Sequence, residues 1–111
     1  MNMRNKDVLK IINNHKTMTG RNTDFKILIR DNHKFISTRK YGAFGVADIK
    51  KVFIKKIKDL TPNEIKMLGY SNIDEYLSEP FNKGLTLNSE KKWIIWNNFR
   101  PNWKVIEKIL S

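Results

Sequence analysis

The sequence predicts a mixed α+β domain, and three observations carry that reading. Apolar and polar residues alternate in stretches between residues 25 and 57, helix-start signatures follow at Thr61 and Ser71, and aromatic and aliphatic residues cluster between 93 and 99. Alternation is the period of a half-buried strand, and a capping residue ahead of apolar i, i+3 spacing marks a helix. A chain of 111 residues fits one domain, 1–111. At this length about two-thirds of the unfolded surface is hidden on folding. The composition is 40% hydrophobic, which supplies a core, so a charged fraction of 30% does not imply disorder.

The elements follow in order. Val8, Ile11 and Ile12 recur at helical spacing behind Asp7 and predict a short helix over 5–13, broken at Asn13-Asn14. An extended segment begins over 16–19. Phe25, Ile27 and Ile29 alternate with Lys26, Leu28 and Arg30 and predict a strand. Asp31-Asn32-His33 is read as a turn and 34–41 as a second strand. Gly42 and Gly45 flank a bend, and 44–57 reads as one long strand whose apolar residues fall on both faces, which requires a bulge. Thr61-Pro62-Asn63-Glu64 is a capping box with proline in the first turn, and Gly69 ends that helix. Ser71-Asn72-Ile73-Asp74 repeats the cap for a helix that stops before Pro80. Ser89 is read as the cap of a third helix holding Trp93, Ile94, Ile95, Trp96 and Phe99, stopped by Pro101. Trp103, Val105 and Ile109 are read as one face of a final strand. The strands suffice for a small barrel.

The charge is lopsided: 22 Lys and Arg face 11 Asp and Glu, a net +11. Such a field attracts polyanions, which release counterions on binding. Dense basic runs occur at Arg30, Lys34, Arg39 and Lys40, and at Lys50, Lys51 and Lys55. They either line a phosphate path or form solvated faces. The tryptophans read as core rather than as stacking platforms. The chain has no cysteine, which excludes disulfides and thiolate metal sites, and His15 and His33 are too sparse for zinc. No metal or cofactor is expected. No apolar run approaches the roughly 20 residues of a membrane span, and no lipid-inserting face is visible, so no membrane partner is expected. The first residues carry too short an apolar stretch for a signal peptide. The expectation is an intracellular, cytoplasmic location.

The segment His15-Lys16-Thr17-Met18-Thr19-Gly20-Arg21 resembles the K-T-x-T-x-R stretch that follows a short helix in ASCH domains. Ala47-Asp48-Ile49, then Leu60-Thr61-Pro62-Asn63-Glu64, is similar to that family's central strand and its L-T-x-x-E helix. Leu68-Gly69-Tyr70 through Tyr76 resembles its G-[FY]-x-x-x-x-[ED] segment. The likeness spans roughly residues 5–109 and rests on order and spacing together. It implies a small PUA-like (ASCH) β-barrel with flanking short helices. It also implies a basic cleft that binds RNA or a modified nucleotide, lined by Lys16, Thr19 and Arg21. Some members of that family are small amidohydrolases of acetylated cytidine, and others are nucleases. In the amidohydrolases the Lys and second Thr of the motif act with an acid from a later helix. By position those residues are Lys16, Thr19 and either Asp74 or Glu75.

The residues can be weighed without the resemblance. Threonine is a poor nucleophile unless a neighbour accepts its proton, and a lysine does so only when burial depresses its pKa. On an uninterrupted strand Lys16 and Thr19 point to opposite faces, so a lysine–threonine pair needs a turn or bulge between them. Three readings stay open: a binding cleft for RNA or a modified nucleotide, a small hydrolase using the same cleft, and a basic module that binds an acidic protein.

Overall fold

The computed structural model describes residues 1–27 and 33–111. Five strands form one mixed, curled sheet that wraps into a half-barrel, with short helices around it. The strands are β1 (Asn2–Met3), β2 (Met18–Arg21), β3 (His33–Thr38), β4 (Gly42–Lys56) and β5 (Glu90–Pro101). The helices are α1 (Val8–Ile12), α2 (Pro62–Met67), α3 (Ile73–Leu77) and α4 (Trp103–Leu110). The strand order is β1-β3-β4-β5-β2, so β1 and β2 are the two edges. β1 pairs parallel with β3, and every other pairing is antiparallel.

The first predicted helix is present as a 3₁₀ turn, Asn5–Asp7, running into α1. Asn14 follows at φ 59°, the left-handed conformation in which a helix commonly ends. The predicted long strand is β4. Its pairing with β5 slips between Val46 and Asp48 and again between Ile49 and Lys51, so Phe44, Ala47 and Ile49 serve one core cluster and Phe53 the other, while Val52 and Ile54 stay exposed. The α2 capping box is complete. Glu64 N donates to Thr61 Oγ1 at 3.1 Å, and Thr61 N donates to Glu64 Oε1 at 2.8 Å. Replacing Thr61 by alanine is expected to cost about 1 kcal/mol. The loss would be read as a lower urea midpoint at unchanged slope, and an unmoved midpoint would show that packing alone fixes this helix start.

Five expectations need correction. The α3 cap is Asn72 rather than Ser71, its Oδ1 accepting from Glu75 N at 2.9 Å. Residues 25–27 are not a strand: Phe25 N closes a turn onto Asn22 O at 2.9 Å, and the rest of that predicted strand lies outside the described residues, as does most of the predicted turn. The predicted third helix is β5. Its Trp93 and Ile95 enter one core cluster and Trp96 the other, so apolar residues crowd both faces of a central strand. The predicted last strand is α4, whose Val105, Ile106 and Ile109 pack on the first cluster at helical spacing. Gly45 lies inside β4 rather than at a bend, and a Cβ there would overlap the Phe99 ring.

The two clusters divide the work. One, around Phe44, Trp96 and Ile106, fixes α1 and α4 to the sheet. The other, around Met18, Leu68, Tyr76 and Trp93, fixes α2 and α3 beside β2. Each fully buried side chain of this size contributes about 1.5–3 kcal/mol. The second cluster forms the floor beneath the open seam of the half-barrel.

Candidate functional site

A half-barrel leaves its two edge strands facing each other across a gap. Here Arg21 of β2 bridges it, its Nη2 donating to Asn2 O on β1 at 2.7 Å. A cleft of about 180 Å³ occupies this seam. β1 and the residue after it contribute Asn2, Met3 and Arg4; β2 contributes Thr19, Gly20 and Arg21; Asp7, Lys16, Leu68, Tyr76 and Phe81 complete it.

Local structure explains why the motif converges. His15 N and Lys16 N both donate to Lys10 O, at 2.7 and 3.1 Å, so the chain folds tightly off α1 before the strand begins. Strand pairing starts only at Met18. Lys16 therefore lies ahead of the alternation that would separate it from Thr19, and both reach the cleft. Lys16 is 5% exposed, and its Nζ donates to Leu68 O at 2.9 Å. Arg21 Nη1 donates to Thr19 Oγ1 at 2.7 Å and to Gly20 O at 2.8 Å, fixing the guanidinium beside the hydroxyl. Gly20 permits this course, because a Cβ there would lie 2.7 Å from Trp93 Cζ3.

The electrostatics favour an anion. Burial lowers the Lys16 ammonium to about 8; the nearby Asp7 carboxylate opposes that fall, while the positive charges of Arg4, Arg21 and Lys10 add to it. Burial likewise pulls Arg21 below its ordinary value. Arg4 holds Asp7 through Nε to Oδ2 at 3.1 Å and also reaches Glu79 Oε2 at 3.4 Å. The Arg4 guanidinium lies 3.8 Å from the centroid of the Phe81 ring, which is 47% exposed at the cleft. Tyr76 is buried, and desolvation pushes its hydroxyl up to about 12, so it stays neutral, accepting from Lys91 Nζ at 3.5 Å.

Lys16, Thr19 and Arg21 thus come together. Asp74 and Glu75 stand exposed on α3, whose buried residue is Tyr76; the carboxylate among the cleft residues is Asp7. The basic runs are dispersed. Arg39 and Lys40 are exposed in the turn between β3 and β4, and Lys34 is half-buried on β3. Lys50 borders a separate groove with Asn14 and Asn97. Lys51 lies over the Phe53 ring, its Nζ 4.9 Å from the centroid, and Lys55 pairs with Glu64 at 2.8 Å. Arg30 lies outside the described residues. Sequence reasoning missed Arg4, Tyr76 and Phe81 as cleft residues and treated Asp7 only as a helix-start acid. The one available signal was the i, i+3 spacing of Arg4 and Asp7. Among the described residues no group of three or more His, Asp or Glu side chains is placed to hold a metal ion. No described helix is long and apolar enough to cross a membrane.

The curled sheet, the edge-to-edge seam and the flanking short helices define an ASCH-like, PUA-like α+β fold. The crystal structure of a mutant of ZmASCH from Zymomonas mobilis matches it with a TM-score of 0.67 at 10% identity, over 97% of this chain and 75% of that one. The protein EF3133 from Enterococcus faecalis, of the DUF984 family, matches with a TM-score of 0.61 at 12% identity, over 86% of this chain and 68% of that one. No family model and no curated protein matches the sequence. At these identities the likeness establishes the fold alone.

Proposed function

We propose that the chain binds RNA or a modified nucleotide in the seam cleft. The observation that carries this reading is the convergence of Arg4, Lys16 and Arg21 on one small hollow whose walls also hold Tyr76 and Phe81. Cations suit phosphate, and aromatic rings suit a base. The cleft of about 180 Å³ is below the roughly 300–1,000 Å³ of drug-sized sites, which suits one base or nucleotide at a time. Titration of short RNAs and nucleoside monophosphates at two salt concentrations tests it. Affinity should fall steeply with salt. Arg21→Ala should weaken binding tenfold or more, the loss of a hydrogen bond to a charged partner. Indifference to every nucleotide and RNA would instead favour a basic module for an acidic protein.

A second reading, hydrolysis in the same cleft, is favoured by a specific pairing. Lys16, lowered to about 8, has a substantial neutral fraction near neutral pH, and the cleft also holds the Thr19 hydroxyl and the Asp7 carboxylate. Turnover of acetylcytidine or cleavage of RNA that is lost in Thr19→Val would establish it. Tight binding without turnover would leave the binding reading alone.

A further inference from the structure

We infer that the ligand of the cleft is a nucleic-acid single strand rather than a free nucleotide, with its flanking phosphates running along a second groove beside Arg39 and Lys40. This rests on nucleotide binding in the cleft. The groove has a volume of about 510 Å³ and is lined by Asn2, Met3, Arg4, Asn5, Arg39 and Lys40. It shares Asn2, Met3 and Arg4 with the cleft, so the short β1 segment is the common wall of both hollows. A strand leaving the cleft over this wall enters the groove directly.

The chemistry of the groove matches a phosphodiester backbone. Its lining holds three cations and two neutral amides and contains no carboxylate. Arg39 and Lys40 are exposed and form no ion pair among the described residues. Arg4, the third cation of the groove, is paired with Asp7 at 3.0 Å and Glu79 at 3.4 Å, so Arg39 and Lys40 are the two that a phosphate would neutralise. Backbone geometry fixes the Arg39–Lys40 turn. Tyr41 N donates to Thr38 Oγ1 at 3.1 Å, and Gly42 takes φ 77°, a conformation natural to glycine. The two cations are therefore presented at a fixed place beside β1. Cations and amides of this kind position a backbone without reading its sequence. Specificity is left to the cleft.

The test compares cytidine 5′-monophosphate with a single-stranded RNA hexamer, on the wild-type chain and on the Arg39→Ala/Lys40→Ala double variant. The hexamer should bind at least tenfold more tightly than the monophosphate. The double variant should lose that advantage and keep the affinity for the monophosphate. Its salt slope for the hexamer, log K against log salt, should be shallower by about 1.4, the share of two phosphate contacts on a single strand. A hexamer that binds no tighter than the monophosphate overturns the strand and leaves the cleft reading intact. So does a double variant that keeps the hexamer's full affinity and slope. If neither probe binds the wild-type chain, the cleft reading falls, and this inference with it.

Discussion

Replacing Trp93 by alanine is expected to cost the domain about 3–5 kcal/mol, the usual toll of truncating a fully buried tryptophan. Trp93 is 0% exposed in the second core cluster. Its Nε1 donates to Lys55 O at 2.9 Å, so truncation also leaves that carbonyl without its side-chain partner. Domains of this size carry only about 5–15 kcal/mol in total, so the loss reaches from about a fifth to all of it. The effect should extend to the cleft, because Gly20 packs directly on the Trp93 ring and carries Thr19 and Arg21 on either side. Trp103 supplies the contrast. It is 55% exposed at the start of α4, and its replacement by alanine should stay within about 0.5 kcal/mol. Urea denaturation of both variants checks the pair. Equal losses at 93 and 103 would contradict the placement of the second cluster.

How far the sequence revealed this fold depends on the element. The start of α2 was legible because its signal is local: four consecutive residues contain both partners of the capping box. β4 was legible because its fifteen residues are rich in Val, Ile and Phe between lysines, with neither a helical period nor a proline to break a strand, and the apolar residues on both faces called for the bulges it has. β5 was not. Trp93 and Trp96 stand three apart, which on a helix means one face and on a strand means opposite faces. Only the sheet order decides, by placing β5 between β4 and β2 with a core cluster on each side. The reading of all three tryptophans as core held for Trp93 and Trp96, but Trp103 is exposed. The cleft shows the same division. Lys16, Thr19 and Arg21 sit in one short segment, and sequence reading grouped them. Arg4 and Asp7 arrive from across the seam, and Tyr76 and Phe81 from the other side of the chain. Their meeting is a property of a sheet that curls until its edges face.

Lys16→Met is expected to raise the stability of the domain at pH 7 while reducing its affinity for a nucleotide phosphate tenfold to a hundredfold. Both effects follow from one buried ammonium. The fall of Lys16 from 10.5 to about 8 corresponds to roughly 3 kcal/mol spent on burying the charged form. The unfolded chain holds that proton up to its ordinary value, whereas the folded chain releases it near 8. Between those two values the unfolded state binds more protons, so this group makes stability rise with pH there. Below about pH 8 the full cost is present, and above about pH 10.5 it is gone. The stability gap between Lys16→Met and wild type should therefore be about 1–3 kcal/mol at pH 7, part of the gain being offset by the lost bond to Leu68 O, and should close towards pH 10.5. Binding runs the other way. A phosphate favours the ammonium, so wild-type affinity should be flat below about pH 8 and decline above it, while Arg21 stays charged throughout. Denaturation and nucleotide titration, each repeated from pH 6.5 to 10, measure the two curves. A variant less stable than wild type at pH 7, or a wild-type affinity that ignores pH across 8, would show that the cleft does not hold its charge at Lys16.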